Sequence, residues 1–303
     1  MSTGDFTIQN NNSPDIELIK ELVTTWAGDD FTRDYFLRGL HINTNLVTIE
    51  ALENNQLVGL LTVWKSVFHP HCTYFSIVSK SHLDYEIEAA LIGSLYQLED
   101  IQSPLQTSIW ETSYKLKNFY EDNGFKEVRR TYSPLLKTSK LDYGNLHIQC
   151  LHLKDLNSVV NNPELKEELT QLVKDNYAKT HQANPVGEHS LEKWEELIFD
   201  EDTILDGSFI LLKNNVVHAY ALLHHSNHPK QFEFGWRGTR DDADSRILLM
   251  LTAKQINYAF EKGVQFIEAE IDTTDSAALK MLKYFSFLPA PTLITYQKAL
   301  KEV

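Results

Sequence analysis

One short pattern occurs twice in this chain, 160 positions apart: an apolar run, an Asn-Asn pair and a second apolar run. Leu46 to Leu52, Asn54-Asn55 and Leu57 to Trp64 form the first occurrence; Phe209 to Leu212, Asn214-Asn215 and Val216 to Leu223 form the second. Each reads as a β-hairpin, because asparagine tolerates the left-handed backbone of a two-residue turn and the flanking apolar runs suit strands. Beyond each hairpin the same elements recur in the same order. A third strand (Cys72 to Val78; Gln231 to Gly238) precedes a helix with apolar residues at helical spacing (Ile87, Ala90, Leu91, Leu95 and Leu98; Leu249, Ala253, Ile256 and Phe260). A short strand comes next (Leu105 to Trp110; Gln265 to Ile271, the latter after the helix stop Gly263), and a last helix closes at Gly124 or Ser286. Asn55 to Gly124 spans 69 residues and Asn215 to Ser286 spans 71, so the spacing survives across several elements.

A repeat of this length predicts two copies of one α/β unit in tandem. Each copy opens on an amphipathic region, Asp15 to Trp26 in the first and Glu164 to Tyr177 with Ser190 to Phe199 in the second. Ser13 is expected to cap the first helix, with Pro14 in its opening turn. The polar stretch Lys137 to Gly144 reads as the linker and Leu146 to Leu153 as the opening of the second copy. The boundary is expected near Leu141, giving domains 1–140 and 141–303.

Charge and cysteine content narrow the partners. Lys and Arg number 28 against 42 Asp and Glu, a formal charge of −14. Such a field repels nucleic acid and draws cations, so a small amine suits the chain better than DNA or RNA, although solubility alone also accounts for it. Cys72 and Cys150 stand too far apart, and without metal-like spacing, for a disulfide framework or a zinc site, and a reducing compartment is expected. The polar start, Met1 to Pro14, lacks the basic and apolar regions of a signal peptide, and no stretch approaches a membrane span; the expectation is a cytoplasmic protein without a membrane partner. His218, His224, His225 and His228 crowd the second hairpin, as His69 and His71 do the first, but their mixed spacing offers no coherent ligand set and no metal is expected. Acceptor binding suits them better, since a neutral imidazole takes up an amine proton.

Strand, hairpin, strand, helix, strand, helix ending in F-Y-x-x-N-G-F, then strand: this order resembles the GNAT superfamily of acetyl-coenzyme A dependent N-acetyltransferases. Phe119 to Phe125 is similar to that family's L-Y-x-x-x-G-F pattern, with Lys126 to Arg130 as the ensuing strand. In the second half Asp272 to Ala278 is similar to its D-N-x-A-A stretch, with Asp275 at the asparagine position. The resemblance covers most of the chain and implies two tandem GNAT-like domains of mixed α/β class. It also implies acetyl-CoA as co-substrate and a small-molecule amine as acceptor, joined by direct attack in a ternary complex.

The family holds the cofactor pyrophosphate with a glycine-rich loop ahead of the long central helix, and neither copy keeps one. The first has Leu83-Asp84-Tyr85-Glu86-Ile87-Glu88, whose acids oppose a phosphate, so this copy reads as catalytically lapsed. The second has Asp242-Ala243-Asp244-Ser245-Arg246-Ile247, where a hydroxyl and a guanidinium favour an anion. Carried over, the family's cofactor contacts fall on Gly238, Thr239, Ser245, Arg246, Ile247 and Asp275. Glu233, between Phe232 and Phe234 on the third strand of the second copy, takes the place of the family's base; a solvent-facing strand carboxylate is the duller reading. Tyr120 falls on the thiolate-protonating tyrosine, but in the other copy. The matching site in the second copy is Leu282, and Tyr284, two positions on, is expected in the core. The five tryptophans also read as core, with Trp236, beside Glu233, the one worth testing. The rival reading is a catalytically inactive descendant that binds a ligand or partner in the same clefts.

Overall fold

The computed structural model describes residues 6–11, 13–80, 85–98, 101, 104–142, 151–240 and 245–299. In the first half the order is β1 (Phe6–Asn11), α1 (Ile16–Trp26), α2 (Asp30–His41), β2 (Asn45–Glu53), β3 (Gln56–Lys65), β4 (Thr73–Ser79), α3 (Glu86–Leu95), β5 (Leu105–Trp110), α4 (Tyr114–Asp122), β6 (Lys126–Tyr132) and β7 (Leu135–Lys137). The second half runs β8 (Leu151–Asp155), α5 (Asn157–Val160), α6 (Pro163–Thr180), α7 (Leu191–Ile198), β9 (Phe209–Lys213), β10 (Val216–His225), β11 (Gln231–Thr239), α8 (Ser245–Glu261), β12 (Phe266–Ala269), β13 (Ile271–Asp272), α9 (Ser276–Tyr284) and β14 (Thr292–Lys298). No described helix is long and apolar enough to cross a membrane.

Both hairpins form, and they are the same hairpin. Asn54 and Asn55 have φ of 50° and 60°, Asn214 and Asn215 of 53° and 64°, the left-handed pair that lets a two-residue turn match strand twist. The ladders agree position for position. Leu52 faces Leu57 and Ala51 faces Gly59, leaving Val58 as an extra residue; 160 positions later Leu212 faces Val217 and Leu211 faces Ala219, leaving His218 extra. A β-bulge at one register in both copies makes coincidence untenable.

Two compact units result, 1–129 with 183–187 and 293–303, and 130–182 with 188–292. This division departs from the linear expectation of 1–140 and 141–303, because each unit takes its closing strand from the other half of the chain. In unit 1, β2 to β5 are followed by β14, which runs antiparallel to β5 from Leu293↔Trp110 to Lys298↔Leu105 and lies between β5 and β6. In unit 2 the order is β8-β9-β10-β11-β12-β7, with β7 antiparallel to β12. Beyond it, Leu136 bridges to Phe287 and the Leu288 N–H donates to the Leu135 carbonyl at 2.8 Å. Lys137, read as the start of a linker, thus ends a strand. The stretch expected to open the second copy is described only from Leu151 onward, where β8 pairs with β9; residues 143–150 and Cys150 lie outside the described residues.

Apolar helix faces pack on these sheets. Ile87, Leu91, Ile92 and Leu95 of α3 join Ile49, Leu61, Val63 and Phe75 in one core; Ile256 and Ala259 of α8 join Phe232, Phe234 and Ile267 in another. The first helix begins later than expected. Asp15, not Ser13, caps α1, its Oδ1 accepting from the Leu18 N–H at 3.1 Å, as a carboxylate does well against a helix N-terminus. Gly124, at φ 78°, closes α4 as expected.

Candidate functional site

The third strand of the hairpin unit is where the copies part. In unit 1, β3 and β4 pair without interruption from Gly59↔Ser79 to Lys65↔Thr73. In unit 2, β10 and β11 keep the same register, offset by 160, from Ala219↔Thr239 to Ala221↔Arg237, and then skip to Leu223↔Phe234. One extra residue is therefore lodged at Gly235-Trp236. A bulge there bends β11 and withdraws backbone groups from the ladder, a device common beside binding sites. On its other edge β11 pairs in parallel with β12 from Gln231↔Phe266 to Phe234↔Ala269, and there the pairing stops.

The remaining length of β11 borders a cavity of about 680 Å³, within the ordinary range for a small-molecule site. Glu233, Gly238, Thr239 and Asp275 all line it, as do Asn176 and Tyr177 of α6 and His181 just past its end. Glycine is required at two points of this wall. A Cβ on Gly235 would lie 2.2 Å from His224 Nε2, and one on Gly238 would lie 2.2 Å from Asn176 Nδ2. Tyr177 stacks on His181 with ring centroids 3.8 Å apart and meets Trp236 edge-on at 5.3 Å. Trp236 thus lines the cavity as well as packing beside Trp194.

Acids dominate the electrostatics. Glu233 is pushed up from 4.5 to about 7, first by partial burial and then by the carboxylates of Glu268, Glu270 and Asp202. A carboxylate poised near neutrality takes and returns protons readily. Arg237 is 9% exposed; its guanidinium donates to Thr252 Oγ1 at 2.8 Å and to Met281 Sδ at 2.9 Å, and lies 4.6 Å from the Phe234 ring centre. Burial lowers its pKa to about 10, with Asp275 and Tyr220 pulling the other way, so it remains a cation between α8 and α9. Asp275 caps α9, accepting from the Ala277 and Ala278 N–H groups at 2.9 Å each.

Of the other expected contacts, Thr239 is buried, its carbonyl accepting from Asn176 Nδ2 at 3.3 Å. Ser245 begins α8, Arg246 is exposed, and the Ile247 side chain, 3% exposed, belongs to the core with Leu211 and Ala219, leaving its backbone alone available to a ligand. Residues 241–244, which hold the Asp242-Ala243-Asp244 part of the loop, and 81–84, which hold Leu83 and Asp84, lie outside the described residues. Among the described residues no group of His, Cys, Asp and Glu is arranged to hold a metal.

Unit 1 has filled the corresponding place. Trp64 and Tyr74 occupy the ladder positions of His224 and Glu233, and their rings stack 5.8 Å apart. Glu88, on the first turns of α3 and 1% exposed, accepts from the Ser79 hydroxyl at 2.5 Å and pairs with Lys115 Nζ of α4 at 2.6 Å, tying the two helix starts together. Tyr120 is fully buried among Phe75, Phe125 and Tyr296, with its pKa raised by burial, and is not among the residues lining the unit 2 cavity. Tyr284, expected in the core, is 69% exposed, because the α9 face carrying Ala278 and Met281 turns inward instead. Arg237 and the pairing of His224 with Asp202 went unread, although an arginine between Phe234 and Gly238 in a buried strand is itself a signal.

No family model matches the chain, and no curated protein matches it in sequence. Its fold does match. A GCN5-related N-acetyltransferase from Sphaerobacter thermophilus superposes with a TM-score of 0.62 over 97% of this chain and 95% of its own, at 12% identity. A GCN5-related glucosamine N-acetyltransferase region of a fungal multi-domain GH3 β-N-acetylglucosaminidase gives 0.65 over 98% of this chain, at 12% identity; this chain spans 38% of that one. A tandem GNAT protein from the clavulanic acid biosynthesis pathway gives 0.54 over 97% and 98% of the two chains, at 10% identity. The fold is that of the GNAT acetyltransferases, in tandem.

Proposed function

We propose that this chain, carrying the GNAT fold twice, is an N-acyltransferase whose unit 2 moves an acetyl or other acyl group from its coenzyme A thioester to a small amine. The bulge at Gly235-Trp236, with Glu233 beside it in the cavity, carries this reading. Acetyl-coenzyme A, when bound, supplies a carbonyl already activated by its thioester. The residues present fit such a group: the bulge withdraws backbone groups from the ladder where β11 borders the cavity, and Ser245, Arg246 and Ile247 form the first turn of α8, the end of a helix that favours an anion. Gly238, Thr239 and Asp275 line the same space.

Glu233 is the base. An amine arrives protonated and is a nucleophile only after losing that proton, and a carboxylate with a pKa of about 7 removes it without being saturated at neutral pH. Asp202, Glu270 and Asp272 on the cavity wall draw the cationic amine in. Tyr120 has no part in this chemistry, and unit 1 serves as scaffold. The buried free thiol of Cys72, pushed up to about 12, suits the reducing cytoplasm in which we place the protein.

A thiol-release assay over a panel of amines tests the reading, with Glu233→Gln as control and a loss of at least ~100-fold in kcat expected for it. Release from no amine at any acyl-coenzyme A concentration refutes it. The lost glycines of 242–247 favour a second reading, a binding protein without catalysis. Calorimetric titration with coenzyme A separates the two: heat of binding supports the enzyme, and its absence supports a different ligand.

A further inference from the structure

His224 stands beside Glu233, and acyl transfer with Glu233 as base gives it no task. The two residues face each other across the β10–β11 ladder. Directly opposed side chains in an antiparallel pair leave the sheet on one face, with Cβ atoms about 5 Å apart. The imidazole is held on two sides. Its Nδ1 lies 3.2 Å from Asp202 Oδ1 and 3.3 Å from Thr203 Oγ1, and its Nε2 edge rests over Gly235, where no Cβ obstructs it. A carboxylate can only accept, so in the neutral ring Nδ1 carries the proton and Nε2 is the acceptor. The His224 side chain is 16% exposed and that of Asp202 54%, so these groups lead from the cavity wall to water.

Unit 1 shows that the ladder itself does not require these residues. Trp64 and Tyr74 hold the same two positions and make a stacked pair, with burial holding the Tyr74 hydroxyl proton more tightly than usual. The carboxylate and the imidazole stand together only in the copy that keeps the bulge.

We propose that His224 is the proton outlet of the site, accepting at Nε2 the proton that Glu233 removes from the amine and releasing it to water while Asp202 steadies the imidazolium. This rests on Glu233 being the base. Conversion of an ammonium acceptor and a thioester to an amide and a thiol liberates one proton per turnover, so the carboxylate must be emptied each cycle. Transfer to Nε2 regenerates the carboxylate, and loss of the same proton to water regenerates the neutral ring. His224 acts through Glu233 and is a relay and positioning residue. The charged groups around it are Asp202 after α7, Glu233 and Arg237 on β11, Glu268 on β12 and Glu270 beyond it, with Lys179 of α6 and His181 just past its end bordering the same cavity.

Two measurements decide the matter. The first needs no turnover: the imidazole titration of His224 is followed by NMR in the wild-type chain and in Glu233→Gln, with the resonance assigned by its loss in His224→Gln. Loss of the neighbouring carboxylate is expected to lower the His224 midpoint by ~0.5 or more; superimposable curves overturn the proposal. The second is kinetic. His224→Gln is expected to lose at least ~10-fold in kcat with KM for the acyl-coenzyme A unchanged, and added imidazole is expected to restore part of the loss. An active wild type whose His224→Gln variant keeps its kcat, or loses it without rescue, overturns the outlet and leaves the base standing. A wild type that releases no thiol overturns both.

Discussion

Replacing Glu233 by glutamine should make the protein more stable and less active at once, with the gain confined to one range of pH. In the folded chain Glu233 holds its proton up to about 7, against 4.5 for the free side chain, a ratio near 300 in proton affinity. Unscreened, that difference is worth ~3.4 kcal/mol. The side chain is only partly buried, so solvent screens it, and about 1.5 kcal/mol is the figure we expect to survive. The raised pKa means that the folded state binds the proton more tightly, so stability is fully present below 4.5 and is lost as pH rises through about 7. Glutamine has no such loss. Denaturant unfolding of the wild type and Glu233→Gln, monitored through tryptophan fluorescence at pH 4 and pH 8, should give nearly equal stabilities at the lower pH. At the higher pH the variant should lead by about 1.5 kcal/mol. Over the same range kcat/KM of the wild type should climb with pH and level off above about 7 as the base ionises. A stability difference that is constant with pH, or that favours the wild type at pH 8, would refute the reasoning, for it would mean that burial and the three neighbouring carboxylates do not hold the proton on Glu233.

Separate parts of the molecule lead to other outcomes. Gly235→Ala drives a methyl group into the His224 ring, 2.2 Å from Nε2, and should cost about 2 kcal/mol; the double variant with His224→Ala should recover most of it in the same unfolding experiment. Lys115→Met leaves the 1% exposed Glu88 carboxylate without its cation and should destabilise unit 1 by about 3 kcal/mol, read as lost amide-exchange protection in α3 and α4. Valine in place of Asn55 or of Asn215, both at positive φ, should cost about 1–2 kcal/mol at either site, a near-equality in melting shifts that tests the identity of the two turns. Ending the chain after Pro291 removes β14 from between β5 and β6, and should abolish exchange protection in unit 1.

The hairpins were legible because asparagine pairs at positive φ leave a mark in the sequence, and the 160-residue offset then carried the reading through the next strand, helix and strand. Glu233 was legible by its alternation between Phe232 and Phe234, both of which are buried. The single residue added at Gly235-Trp236 was not, since a bulge is a relation between two strands and appears only once the partner's register is known. His224 was noticed among other histidines, but its place opposite Glu233 depends on that same register. The capping of α1 turned on a competition that composition cannot rank: Ser13 precedes Pro14, whereas Asp15 offers a carboxylate within reach of Leu18. The exchange of closing strands was hidden for a different reason. Leu135–Lys137 is three residues long and sits in a polar stretch, so its strand character comes from the β12 edge it completes rather than from its own residues.

That exchange bears on how such a chain comes into being and why it persists. Leu105 waits for Lys298 to be synthesised before its edge is closed, so the first half leaves the ribosome as an open sheet and stays vulnerable until β14 is made. A gene cut at the middle would yield two products, each missing a piece of its interior that the other carries. The first copy is therefore not spare: it cannot be discarded while the second borrows Leu135 to Lys137 from its tail.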